Sequence, residues 1–189
     1  MRRVLLAHLV DAAPSELQFG ESGRGKPRLI DDGIEFNASH TGDVGVIVTG
    51  QAPLGVDIEA LDRPLDYLRF AQHSFTEEEF LDIGSCHGDD LPLAFFNCWT
   101  GKEAYIKAIG LGLSKDLRSF SVLCAPDTEP GLRWDRESDD ESRDWRFARI
   151  SSGNHIATVV AYGTAGTPGV RSRQLGTESL CAGVPVHID

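Results

Sequence analysis

The spacing of apolar and polar positions changes several times along the chain, and each change marks an element. Residues 2–13 place Val4, Leu5, Leu6, Leu9 and Val10 at helical intervals, which predicts an amphipathic helix ended by Pro14-Ser15. That pattern gives way at residues 19–28 to Gly20, Gly23 and Gly25, and a glycine-rich loop is expected there. Residues 34–39 and 44–49 alternate or run apolar on either side of a Gly42-Asp43 turn, the pattern of a β-hairpin. A third strand is read at residues 54–59. Its period of two puts Asp57 and Glu59 on one face and Val56 and Ile58 on the other.

Residues 64–74 predict a helix, and Thr76 with Glu79 forms a capping box for a short helix over 76–83. A long helix follows Pro92 and runs to Ile109, where Gly110 and Gly112 stop it. Four further strands are read at 119–125, 131–136, 145–150 and 156–162, with residues 135–144 as a charged, exposed hairpin tip. Residues 163–189 show no periodicity and are expected to form a loose tail. Strands flank helices without strict βαβ alternation, so the fold class is α+β. No internal repeat is visible in the residues themselves.

Composition narrows the function. With 189 residues, 41% of them hydrophobic, the chain can bury a core as one domain or two small lobes. A net charge of -11 and a pI near 4.9 exclude a general nucleic-acid binder, because the phosphate backbone demands clustered positive charge. Cys86, Cys98, Cys124 and Cys181 make no C-x-x-C pair, which fits a reduced cytoplasmic setting. The run after Arg2-Arg3 is short and interrupted by His8, so it is read as structure and not as a signal peptide, and no stretch reaches the ~20 apolar residues of a membrane helix.

Of 18 basic residues only four are lysines, and two of them, Lys102 and Lys107, lie in the segment 99–107. Trp99, Glu103 and Lys107 follow at i, i+4 and i+8 and wind along one side of the helix. A plain Glu103–Lys107 pair, worth ~0.2–0.5 kcal/mol, is the simplest account of them. Lys102 instead projects into the apolar face made by Cys98, Tyr105, Ile106 and Ile109, where it needs an anion, either a protein carboxylate or a substrate. Asp57 and Glu59 repel one another and call for a cation; a hard divalent ion such as Mg²⁺ suits them better than zinc, with a solvated strand face as the alternative. Arg24, Lys26 and Arg28 among glycines suit a phosphate or a solvated turn. Ser39 and His40, at a strand end, can reach a ligand.

Gly25-Lys26-Pro27, Asn37-Ala38-Ser39-His40, Gly55-Val56-Asp57-Ile58-Glu59 and Trp99-Thr100-Gly101-Lys102-Glu103-Ala104-Tyr105-Ile106-Lys107 occur in that order. Together with residues 75–80 and 110–114, they resemble the ordered motifs of the Sfp-type 4′-phosphopantetheinyl transferases. The resemblance implies a pseudo-dimer of two similar α+β halves, expected here at 1–62 and 63–163 with 164–189 as tail, and a cleft between them for coenzyme A and Mg²⁺ (or Mn²⁺). It implies transfer of phosphopantetheine from coenzyme A to a serine of an apo acyl or peptidyl carrier protein, releasing adenosine 3′,5′-bisphosphate.

By matching motif positions, Asp57, Glu59 and Glu103 are the expected metal ligands. Lys26, Pro27, Ser39, His40, Lys102 and Lys107 are expected on the coenzyme side, and Glu103 and Lys107 in catalysis, with Glu103 either ligand or base. A monomer is expected, docking its carrier through Lys115, Arg118 and apolar residues near Phe75 and 111–113. In that family a strand and a basic helix start precede the position of Met1, so the N-terminal half is read as shortened, through a late start, truncation or true variation. Two other readings are a coenzyme A- or carrier-binding module without turnover and a metal-dependent phosphohydrolase.

Overall fold

Most other elements are laid around one helix, α4 (Asp90–Ile109). The computed structural model describes residues 2–9, 12–21, 25–30, 33–137 and 144–163. Helix α4 begins with Asp90 in its first turn, where a carboxylate meets the positive end of the helix dipole, and Pro92 follows early enough to be tolerated. It ends at Gly110, whose φ of 69° is left-handed and whose N–H donates to the Ile106 carbonyl at 3.0 Å.

Ahead of α4 come α1 (Arg2–Leu9), β1 (Phe19–Glu21), β2 (Pro27–Leu29), β3 (Glu35–Thr41), β4 (Val44–Gly50), β5 (Leu54–Ala60), α2 (Tyr67–Ser74) and α3 (Glu77–Gly84). After it come a 3-10 turn (Gly112–Ser114) and β6 (Phe120–Leu123), β7 (Gly131–Asp135), β8 (Trp145–Ser152) and β9 (His155–Tyr162). A helix followed by two antiparallel hairpins therefore occurs twice: α1, β1-β2, β3-β4, and then α4, β6-β7, β8-β9. The fold is α+β in two similar halves. The repetition absent from the residues is present in the elements.

Strand β5 joins the two halves. It pairs with β9 in the sheet β5-β9-β8, placing Asp57 opposite Thr158 and Glu59 opposite Ile156. A small core of Leu6, Ala7, Leu17, Leu29 and Phe36 serves the first half; the larger one surrounds α4 and includes Phe75, Phe95, Phe96, Tyr105 and Phe120.

The expected elements are present with three differences. Helix α1 is described over Arg2–Leu9, and Ala12, expected within the helix, lies outside it and donates to the Ala7 carbonyl at 3.0 Å. The glycine-rich stretch contains the β1-β2 hairpin, anchored by Phe19, whose ring meets that of Phe36 edge-on at 5.9 Å. Asp135, expected on an exposed tip, has a side chain only 2% exposed, ion-paired with Lys115 at 2.9 Å and accepting from the Tyr105 hydroxyl at 2.8 Å. Arg136 and Glu137 of the expected tip are exposed, whereas its residues 138–143 and the tail residues 164–189 lie outside the described residues. Among the described residues no helix is long and apolar enough to cross a membrane.

Gly55 sets how closely β5 and α4 approach. A Cβ at this position would stand 2.1 Å from the Ala104 carbonyl oxygen and 2.5 Å from the Ala108 nitrogen, both backbone atoms of α4. Only a residue without a side chain fits. We expect Gly55→Ala to force strand and helix apart and destabilise the protein by about 1–3 kcal/mol, the range for overpacking a core. Urea denaturation measures this; an unchanged midpoint would show that α4 does not rest on Gly55.

Candidate functional site

Gly55, Asp57 and Glu59 share one face of β5 by the two-residue period of a strand, and Gly55 shows that this face meets α4. The carboxylates therefore lie along the same seam as the half-buried side of α4, which carries Trp99, Glu103 and Lys107. Lys107 Nζ reaches Asp57 Oδ1 at 2.7 Å, Ser39 Oγ at 3.1 Å and the Val56 carbonyl at 3.1 Å. It thus pairs with Asp57 across the seam, whereas the sequence had suggested Glu103 one turn back.

The third contributor is β3. On one of its faces Asn37, Ser39 and Thr41 each bond to β5: Asn37 Oδ1 accepts from the Val56 N–H at 3.0 Å, Ser39 Oγ donates to Asp57 Oδ1 at 2.7 Å, and Thr41 Oγ1 donates to Glu59 Oε2 at 3.2 Å. β5 is paired with β9 on its other edge only, so Asn37, Lys107 and Lys26 satisfy backbone atoms that a neighbouring strand would otherwise take, while Ser39 and Thr41 hold the two carboxylates. Asn37 belongs to the Asn37-Ala38-Ser39-His40 motif without an expected role of its own, and Thr41 was not expected at the site. The signal was there as a polar stripe at 37, 39 and 41.

Glu103, half-buried on α4, has its proton affinity raised, first by burial and then by the negative charges of Asp57 and Glu59, against the opposing effect of Lys107. Near Lys107 the seam therefore gathers three carboxylates around one ammonium group. Hard oxygen donors in excess suit Mg²⁺ or Mn²⁺. Among the described residues no group of three or more His, Cys, Asp or Glu side chains stands in an arrangement that could hold a metal ion.

Other expected coenzyme contacts are placed differently. Lys102 is 0% exposed; its ammonium pairs with the equally buried Glu79 at 2.9 Å and donates to the Leu117 and Phe120 carbonyls at 2.7 Å each. The anion it needed is a protein carboxylate, and Lys102 cannot reach a ligand. Lys26 Nζ donates to the Leu54 carbonyl at 2.9 Å and lies 3.5 Å from the Ala108 carbonyl and 3.5 Å from Glu35 Oε2, at the far end of the seam. Burial lowers its pKa and Glu35 partly offsets this. Pro27, half-buried in β2 opposite Glu21, offers no N–H to a phosphate.

His40 lies on the opposite face of β3 from Ser39, exposed, across from Gly45; neighbours in sequence are here divided by the strand. Two residues expected at a docking surface are internal. Lys115 is buried between Asp135 and Glu137, each at 2.9 Å, and Phe75 is core.

The family model of the 4′-phosphopantetheinyl transferase superfamily matches residues 53–160, which include β5, α4 and most of the seam. The chain belongs to this superfamily. It is 38% identical over 136 residues to the 4′-phosphopantetheinyl transferase psf-1 of Bacillus pumilus, covering 69% of this chain and 57% of that one. It is 35% identical over 119 residues to the 4′-phosphopantetheinyl transferase Sfp of Bacillus subtilis, covering 62% and 52%. The L-aminoadipate-semialdehyde dehydrogenase-phosphopantetheinyl transferase of Xenopus laevis is 29% identical over 180 residues, covering 86% and 60%. The chain spans about half the length of the curated relatives it matches.

For this superfamily member Lys102 and Lys107 have separate tasks five residues apart. We expect Lys102→Met to lower stability by about 3–5 kcal/mol, since it leaves Glu79 as an uncompensated buried charge. Adding Glu79→Gln should restore part of the loss. Chemical denaturation of the two variants checks this; a fully stable Lys102→Met protein would contradict the buried pair.

Proposed function

We propose that the protein transfers the 4′-phosphopantetheine group of coenzyme A to a serine of an apo acyl or peptidyl carrier protein, with Mg²⁺ or Mn²⁺, releasing adenosine 3′,5′-bisphosphate. The observation that carries this reading is the Lys107–Asp57 pair at 2.7 Å in a seam shared with Glu59 and Glu103. Membership of the superfamily and the names of the relatives support it.

In this reading the serine oxygen bonds to the β-phosphorus of coenzyme A, the bond from that phosphorus to the bridging pyrophosphate oxygen breaks, and the serine proton is taken up by Glu103. Burial and its acidic neighbours raise the proton affinity of Glu103, which suits a base. Lys107 exchanges Asp57 for a phosphate oxygen and opposes the charge that builds on the leaving group. A bound divalent ion supplies Lewis-acid neutralisation of the pyrophosphate, and Asp57, Glu59 and Glu103 are the residues that would hold it. Ser39 orients Asp57 and Lys107 together. We assign Lys26 and the exposed ring of His40 to the nucleotide end.

Both halves contribute to one complete seam, which fits a monomer. The free thiols of Cys86, Cys98 and Cys124 fit the cytoplasm.

Glu103→Ala is expected to reduce transfer by at least about 100-fold, the lower range for losing a general base, and to leave the circular dichroism spectrum unchanged. The assay is the mass gain on the carrier serine with coenzyme A and Mg²⁺. Full transfer by this variant would overturn the proposed role.

A further inference from the structure

Glu59 is held differently from its neighbour Asp57. Asp57 directs Oδ1 to Ser39 and Lys107 inside the seam. Glu59 has one donor on each oxygen: Thr41 Oγ1 on Oε2 and Arg63 Nη1 on Oε1, both at 3.2 Å. The two donors are unlike. Thr41 is neutral and sits in β3, whose register is fixed by its pairing with β4, whereas Arg63 follows β5 in a loop and its side chain is 57% exposed against 14% for Glu59.

We propose that Thr41 and Arg63 are positioning residues for Glu59: Thr41 is the fixed point that aims the carboxylate into the seam, and Arg63 is a stand-in cation that occupies its outer oxygen until a divalent ion takes over. The inference rests on the divalent-ion reading of the seam given above.

The physical case is one of charge and exchange. Asp57 and Glu59 stand two residues apart on one strand face and repel one another, and Lys107 is committed to Asp57. Arg63 offsets the remaining charge. An ion pair at such an exposed site is weak and readily exchanged, so a divalent ion can displace it. The Thr41 bond carries no charge to compete with a metal and can persist. A carboxylate has about four lone-pair positions, so one donor on each oxygen leaves Glu59 able to accept a metal or its water.

The test is direct binding of Mn²⁺ to the full chain, followed by electron paramagnetic resonance of the free ion, alongside thermal melting. Thr41→Val is expected to weaken Mn²⁺ binding about tenfold, as loss of an outer-sphere partner does, with Thr41→Ser restoring it. Arg63→Met is expected to tighten binding about threefold by removing the competing cation. A Thr41→Val protein that melts earlier but binds Mn²⁺ like the wild type makes Thr41 merely structural and overturns its role. Unchanged or weaker binding by Arg63→Met overturns the stand-in. If the wild-type chain binds no Mn²⁺, the divalent-ion reading itself falls, which separates that failure from failure of the positioning residues alone.

Discussion

The contact on which the site depends is the one between a strand and a helix that have no side chain between them. Gly55 lets the backbone of β5 lie against Ala104 and Ala108 of α4. Everything chemical follows from that spacing, because the next two positions on the same strand face are Asp57 and Glu59, and the adjoining helix side offers Lys107 and Glu103. A wider gap would leave Lys107 short of both Asp57 and the Val56 carbonyl. The glycine is thus an electrostatic residue by proxy.

Two buried lysines show how strongly context divides one residue type. Lys102 is a cross-brace: with Glu79, which also closes the cap of α3 through Thr76 and accepts from the Val122 N–H at 2.8 Å, it ties α3, α4 and β6 into one unit. Lys115 does similar work with Asp135 and Tyr105 at the far end, where burial and the Asp135 carboxylate push the Tyr105 hydroxyl pKa well up. Such pairs add little net stability over apolar packing, but each fixes a register, since neither charge tolerates a new neighbour. The braces hold α4 firmly, leaving Lys107 as the lysine of that helix turned toward the seam.

Much of this could be read from local pattern. The period of α4, the Thr76–Glu79 capping box, the β3-β4 turn and the pairing of Asp57 with Glu59 on one face all depend on residues within a few positions of each other, and all are present. What escaped was non-local or hidden by composition. Glu79 lies far from Lys102 in the chain, so the residues around Lys102 could demand an anion without naming it. Asp135 looked exposed because it stands beside other charges, while its partner Lys115 comes from a different element. The glycines around β1 and β2 masked a hairpin whose anchor is one phenylalanine. His40 and Ser39 were read together because they are adjacent, although a strand sends neighbours to opposite faces.

The position of β5 also bears on how the chain could be divided. It follows the first two hairpins in sequence, but its ladder partner is β9, near the other end of the described chain. A cut at residue 62 would remove β5 from β9 and uncover the buried Val159 and Val160 together with a row of unpaired amides. Such an edge is a template for intermolecular pairing. The second half expressed alone would therefore be prone to aggregation, and a split version of this protein would need its two pieces made together.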